Sequence, residues 1–335
     1  MTSLLEFTDK GIYCPQGEFY IDPWRPVRKA LITHGHADHS RPGHQHYLAH
    51  RQSEFIMRQR LGQDIKIETI SYNKSISING VKVSFHPAGH IPGSSQIRLQ
   101  YKGQISVVSG DYKLEDDGLS TPFEAVKCHE LVTETTFGLP IYKWKPQSET
   151  FNEINQWWKQ NQDEGKTSVI FAYALGKAQR IMKNVDNSIG RIYTHGAVEN
   201  ATNALRKTGL DLPDTIKITN EVPKKDYQGS LVITTPASIG TSWMKKLAPY
   251  STGIASGWMM LRGTRRRKAA DRGFVLSDHA DWNGLLEAVK LSEAETVYST
   301  HGYSNVFTKY LKEEEGLNAI SLDTQFEAES LDTEL

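Results

Sequence analysis

The sequence predicts an α/β protein built from two parts. Three observations lead there. Short β-rich runs bounded by turn residues fill the chain up to Gly138-Leu139-Pro140, strands alternate with helical stretches after it, and a β-rich run returns at Gly273–Leu276. At 335 residues the chain is also too long for one ordinary core.

In the first part the β-rich runs are Phe19–Asp22, Lys29–Thr33, Val81–Phe85, Ile97–Tyr101 and Ile105–Ser109, with a helix expected over Gln45–Gln59. In the second, a helix over Glu149–Asn161 is followed by a strand at Ser168–Ala172 and a helix from Lys177. A strand at Arg191–Tyr193, a helix over Val198–Thr208 and a strand at Ser230–Thr234 come next. That alternation predicts a parallel sheet. The expected division is one domain over 1–140 and 269–335, interrupted by an inserted domain over 141–268. Gly273–Leu276 is read as the return to the first domain.

Composition narrows the class. Hydrophobic residues make up 38% and aromatic residues 10%, which suits a folded chain rather than a disordered one. No apolar run approaches the roughly 18 residues of a membrane span. The N-terminus lacks the basic start, apolar region and cleavage site of a signal peptide. Only two cysteines occur, Cys14 and Cys128, and the expectation is a cytoplasmic protein that keeps both as thiols. The formal net charge is +0, which argues against a purely electrostatic nucleic-acid binder but leaves room for a local basic groove. One dense basic cluster exists, Arg262 and Arg265-Arg266-Arg267-Lys268.

The 12 histidines are uneven: six fall between His34 and His50. His34-Gly35-His36-Ala37-Asp38-His39 follows a strand without a gap. Ligands two, four and five residues apart converge only if the backbone turns tightly, and Gly35 and Ala37 keep the intervening side chains small. Imidazole with carboxylate suits zinc, and also manganese or iron. His90, Asp111 and His301 recur at other strand ends. Each alone reads as a loop histidine or turn aspartate; together with the first motif they read as one site. His44, His46 and His50 are read as structural or as supporting the ligands from behind, and His86, His129 and His195 carry no motif.

With Asp22 at a strand end, the pattern HxHxDH over His34–His39, then His90 and Asp111, resembles the metallo-β-lactamase superfamily. The resemblance implies an αββα sandwich holding two divalent metal ions, zinc or manganese. It assigns His34, His36 and His90 to one ion, Asp38, His39 and His301 to the other, and Asp111 to both. Asp22 would orient a ligand rather than bind.

Thr133-Glu134-Thr135-Thr136-Phe137-Gly138, Tyr173–Arg180 and Leu276-Ser277-Asp278-His279-Ala280-Asp281-Trp282 resemble motifs of the β-CASP nucleases, over nearly the whole chain. Glu134, His279 and His301 match that branch's three motifs, and the insertion becomes a β-CASP domain. His at the third motif is the form of RNA-processing members. The short length and the wording of Asp271–Trp282 resemble instead the bacterial ligase-associated DNA exonucleases, also labelled mRNA 3′-end processing factors.

The function expected is therefore two-metal hydrolysis of nucleic acid, as a DNA exonuclease in repair, directed to 5′ ends and preferring single strands. Nucleic acid is the expected partner, DNA before RNA, with a DNA ligase or helicase beside it. Asp111 would sit by the attacking hydroxide, His279 would be the general acid and Glu134 its orienting partner. Lys177 and Arg180 share the face of a helix whose start suits a phosphate, and Thr235, Ser238 and Ser256 occupy strand ends. Helix capping is the plain alternative for those positions. Arg262, Arg265 and Arg266 would contact the backbone, and Trp258 is either a stacking platform or a core residue. The competing functions are an RNA-processing nuclease on the same scaffold, a small-molecule lactonase or thioesterase, and a scaffold without catalysis. The insertion counts against the small-molecule enzyme and the filled ligand positions against the scaffold.

Overall fold

The computed structural model describes residues 3–261 and 270–325. They form two compact units. One comprises 3–116, 120–143 and 279–325, the other 117–119, 144–261 and 270–278. The expected break at 268/269 lies outside the described residues.

In the first unit, β1 (Glu6–Thr8), β2 (Gly11–Cys14), β3 (Phe19–Ile21), β4 (Lys29–Ile32), β5 (His46–His50) and β6 (Ile67–Ile70) form one sheet, parallel from β3 onward. The helix α1 (Glu54–Leu61) follows β5. The helix expected over Gln45–Gln59 is thus half wrong. His46–His50 is a strand bonded to β4 and β6, and its side chains alternate: Leu48 enters one core, Tyr47 and Ala49 another. β7 (Ser75–Ile78), β8 (Val81–Pro87), β9 (Ser95–Tyr101), β10 (Gln104–Val108) and β11 (Glu130–Thr135) begin a second sheet.

The second unit runs α2 (Gln147–Asp163), β12 (Thr167–Phe171), α3 (Lys177–Asn184), β13 (Ile192–Thr194), α4 (Gly196–Arg206), β14 (Ile216–Lys217), β15 (Leu231–Thr234), β16 (Tyr250–Ala255) and β17 (Arg272–Phe274). Among the described residues, every strand pairing in its sheet, ordered β14-β13-β15-β12-β16-β17, is parallel. β12 is buried at every position, as a parallel strand covered on both faces must be. Ile170, Leu231 and Ile233 enter a core with Trp158 of α2 and Ile181 of α3, while Val169, Phe171 and Val232 enter a core with Tyr227 and Met259. The run at Gly273–Leu276 does not return to the first domain as expected. Its ordered part is β17, whose register against β16 makes it an edge of this sheet.

The chain then closes the first unit with α5 (Trp282–Ser292), β18 (Thr296–Gly302), α6 (Ser304–Glu313) and β19 (Asn318–Ser321). β18 inserts beside β11, parallel, and β19 pairs with β18. One apolar core takes Ile21, Leu31 and Leu48 from the first sheet and Phe85, Ile97, Val108 and Val132 from the second. On the outer face of the second sheet, Val107, Leu131 and Val297 pack with Leu285 of α5 and Phe307 of α6. Cys14 and Cys128 are both buried and unpaired, each inside one of these cores. Among the described residues, no helix is long and apolar enough to cross a membrane.

Candidate metal centre

Parallel strands deliver their C-terminal ends to one edge of a sheet, and the candidate residues collect there. Asp22 follows β3, His34 lies two residues past β4, His90 stands on the turn after β8, and Asp111 follows β10. His301 was expected at a strand end, and Glu134 was matched by its motif. Both lie inside strands, because β11 runs on to Thr135 and β18 to Gly302. Glu134 pairs with Thr300 in register. The two side chains are therefore held by a ladder rather than a loop.

The loops meet closely. Ser95 N donates to Thr33 O at 2.9 Å, joining the strand-end loops of the two sheets. Gly110 has φ +56°, and a Cβ there would fall 2.6 Å from Thr33 Cβ. Gly89 has φ +74°, and its Cβ would fall 2.2 Å from Lys113 O. Only glycine allows these approaches, and they bring the His34, His90 and Asp111 loops together.

Asp111 is the centre. Its Oδ2 lies 3.4 Å from His34 Nε2, 3.4 Å from His39 Nε2 and 3.8 Å from His90 Nε2; its Oδ1 lies 3.1 Å from His301 Nε2. His90 Nε2 and His36 Nδ1 are 3.1 Å apart, and Asp38 Oδ2 is 3.4 Å from His39 Nε2. Three groups of potential ligand atoms converge, each within 4.8 Å: His34, His36, His90 and Asp111; His39, Asp111 and His301; and Asp111, Glu134 and His279. Asp111 is common to all three.

The electrostatics fit a cation. Burial pushes the His34 imidazole well below its usual range, and neighbouring His39 adds to that. Burial acts the same way on His39, but the Asp111 and Asp38 carboxylates outweigh it and hold that ring well above its usual range. Burial raises Asp111, yet His39 and His279 more than reverse it, leaving Asp111 well below the usual carboxylate range. Imidazole nitrogens around a shared, ionised carboxylate are donors for zinc, manganese or iron. His34 Nε2 is buried and makes no hydrogen bond within the chain, as a nitrogen reserved for a ligand does.

A supporting layer sets the orientation. Asp22 is buried with φ 42°, a left-handed conformation that Asp tolerates. Its Oδ1 accepts Thr33 N at 2.8 Å, and its Oδ2 accepts Thr33 Oγ1 at 2.5 Å. The same Oδ2 lies 2.8 Å from His39 Nδ1, so His39 turns Nε2 toward Asp111. Such carboxylate–histidine pairs fix ring orientation at metal sites. Glu134 does this for His279: its two oxygens lie 2.9 and 2.8 Å from Nδ1. Glu134 Oε1 also accepts Tyr112 N at 2.8 Å, and Tyr112 O accepts Ala280 N at 2.7 Å.

Other predicted positions do not join this centre. His44 Nδ1 accepts Val27 N, and His50 stacks on Tyr72 and accepts Gln52 N. Lys177 and Arg180 were expected to meet phosphate. Both are buried, at 0% and 1% exposure, and both face Asp278: Lys177 Nζ is 3.7 Å and Arg180 Nη1 3.0 Å from its carboxylate. Ser256 and Ser238 are buried too. Ser256 Oγ accepts Trp258 N, which is the capping alternative, and Ser238 Oγ pairs with Thr234 Oγ1. Thr235 is half-buried, and Trp258 packs half-buried against a core of the second unit. Arg262, Arg265 and Arg266 lie outside the described residues. Sequence reasoning missed Thr33, whose hydroxyl bridges Asp22 and the first histidine, and Arg60 with Ser40, which brace the motif's backbone.

No family model matches the chain. A protein named Probable DNA ligase from Opitutus terrae is 28% identical over 321 residues, covering 95% of this chain and 31% of that protein. Endoribonuclease YSH1 from Eremothecium gossypii is 28% identical over 123 residues, 36% of this chain and 16% of the relative. The chain thus spans a third or less of the length of either relative. A solved structure described as a protein of unknown function from Enterococcus faecalis V583 superposes with a TM-score of 0.60 at 13% identity, over 89% of this chain and 80% of that one, which is a likeness of fold. In its relatives and in its cluster of histidines around Asp111, the chain resembles the metal-dependent nucleases of the β-CASP branch of the metallo-β-lactamase superfamily.

Proposed function

We propose that the chain is a two-metal phosphodiesterase that hydrolyses nucleic acid. In this reading it acts in the cytoplasm as a single-strand-preferring DNA exonuclease of repair, working from 5′ ends. The observation that carries the reading is the shared carboxylate: Asp111 belongs to each of the three donor groups, one of which includes His279 and Glu134. The first unit is read as the αββα sandwich, which the core common to its two sheets supports, and the second unit as the β-CASP insertion.

His34, His36 and His90 with Asp111 would hold one divalent ion, zinc or manganese, and Asp38, His39 and His301 with Asp111 the other. Such a pair supplies acidified water and charge neutralisation for an in-line displacement at phosphorus. His279 donates a proton to the leaving oxygen as the P–O bond breaks. Glu134 keeps Nδ1 engaged, which leaves Nε2 for that donation. Asp22 orients His39. Thr235, Arg262, Arg265 and Arg266 are the remaining candidates for backbone contact, a role read from the salt dependence of binding.

The likeness to a protein named for DNA ligation over 95% of the chain supports DNA as substrate and a ligase as partner. A second reading, an RNA-processing nuclease, is favoured by the likeness of 36% of the chain to a protein named endoribonuclease. The deciding experiment offers end-labelled single-stranded DNA and matched RNA, with 5′-phosphate or 5′-hydroxyl ends, in manganese or zinc. Cleavage confined to RNA rejects the DNA assignment, and cuts in circular single strands reject the exonuclease mode. Absence of cleavage in every combination rejects the nuclease.

A further inference from the structure

The segment 34–40 carries four candidate ligands in six residues, yet it lies in bends and turns outside every strand. Its carbonyls must find partners elsewhere. Arg60, one residue before the end of α1, supplies them. Its Nη1 donates to Gly35 O at 2.7 Å and to Ser40 Oγ at 2.6 Å. Ser40 is fully buried; its Oγ donates in turn to His36 O at 2.8 Å, and its N–H reaches the same oxygen at 2.9 Å. One guanidinium nitrogen therefore ties both ends of the ligand segment, at Gly35 and at Ser40, and the Ser40 hydroxyl carries the tie on to His36 O. The positive charge polarises that hydroxyl and strengthens its bond onward. Asp38 lies near enough for its charge to act on Arg60. Arg41 Nε completes the brace by donating to Asp38 O at 3.2 Å.

We infer that Arg60, acting through Ser40, is the positioning residue that pre-orders the His36–His39 segment for metal binding. The inference rests on the metal-centre reading of those ligands. Arg60 belongs to none of the apolar cores, so its replacement removes the brace without cutting into a core.

Amide hydrogen exchange on the metal-free full chain reads the segment directly. Arg60→Gln should speed exchange at residues 36–40 by about ten- to a hundredfold, the range expected when a hydrogen bond to a charged group is lost. Amides of β8 to β11 should exchange as in the wild type. Competition with a chromophoric zinc chelator should show zinc retention weakened by about ten- to a hundredfold. Ser40→Ala should act in the same direction, and Arg60→Lys should recover part of the effect, since an ammonium keeps the charge but lacks the fork. Unchanged exchange at residues 36–40 overturns the inference. So does exchange that quickens across the whole unit, and so does faster segment exchange with zinc retention equal to wild type. If the wild-type chain itself holds no zinc, the metal-centre reading fails, and the exchange comparison still decides whether Arg60 orders the segment.

Discussion

Glu134 and His279 stand 145 residues apart in the chain, and both oxygens of the carboxylate lie within 2.9 Å of His279 Nδ1. The same carboxylate accepts Tyr112 N, just past Asp111. Glu134 thus fixes a histidine and the central aspartate's loop at once. Glu134→Gln can still accept one hydrogen bond but cannot hold a charged ring. It should lower kcat by about 10²–10⁴-fold with little change in melting temperature. Glu134→Ala should also orphan Tyr112 N and lose about 1–3 kcal/mol of stability. Steady-state kinetics beside thermal melts check both, and a Gln variant with wild-type turnover rejects the role.

His279→Ala separates acid from ligand. As a proton donor, His279 can be removed without emptying the site, so metal content should stay at wild type while turnover drops by about 10²–10⁴-fold. Elemental analysis beside the nuclease assay reads this. Metal lost from a normally folded variant would make His279 a ligand instead.

Asp22 acts through His39. In Asp22→Asn the side chain keeps its size but loses the charge that holds His39 Nδ1 and the second oxygen that accepts Thr33 Oγ1. Metal affinity should fall by about 10–100-fold, measured by chelator competition. Equal affinity would leave Asp22 a backbone brace for Thr33 only.

The ligand segment was legible because its donors sit within six residues at the end of one strand, where the constraint is local. His90, Asp111 and His301 were legible as strand-end residues once that segment was fixed. What stayed hidden depends on distant partners. The strand at His46–His50 carries its burial on both faces, a pattern set by β4 and β6 rather than by its own spacing, and the true helix begins only at Glu54. The return run at Gly273–Leu276 is apolar enough for either sheet, and only its register with β16 decides. Arg60 shows no motif, since its targets are a backbone oxygen 25 residues away and a serine hydroxyl 20 residues away.

Lys177 and Arg180 show the same limit, and they yield a test. Their spacing on a helix face suggested phosphate contacts, but both turn to Asp278, about a hundred residues on, inside the second unit. Arg180 also donates to Ser277 O and Gln147 Oε1. Arg180→Met leaves Asp278 facing Lys177 but takes the donor from Ser277 O and Gln147 Oε1, so it should cost about 1–3 kcal/mol in metal-free denaturant unfolding. Weakened nucleic-acid binding at unchanged stability would restore the phosphate role.

Part of the acid sensitivity should come from a histidine outside the metal centre. Burial lowers the His50 imidazole to about 4, with the Arg51 charge acting the same way, and the ring stacks on Tyr72 at 3.6 Å. In the unfolded chain it titrates near its ordinary 6.5. Between those values the unfolded state binds a proton that the folded state refuses. Stability contributed by the neutral ring is therefore complete above pH 6.5 and is lost as pH falls toward 4. His50→Phe keeps the stacked ring and removes the titration. Its stability should fall less steeply than wild type across that window, by up to one proton's slope, about 1.4 kcal/mol per pH unit. Carboxylates titrate mostly below pH 5, and the wild-type-minus-variant difference cancels them together with the ligand histidines. Denaturant melts of the metal-free chains from pH 7 to 5 read the difference directly. Parallel curves for the two proteins would mean that His50 is solvated enough to protonate without unfolding.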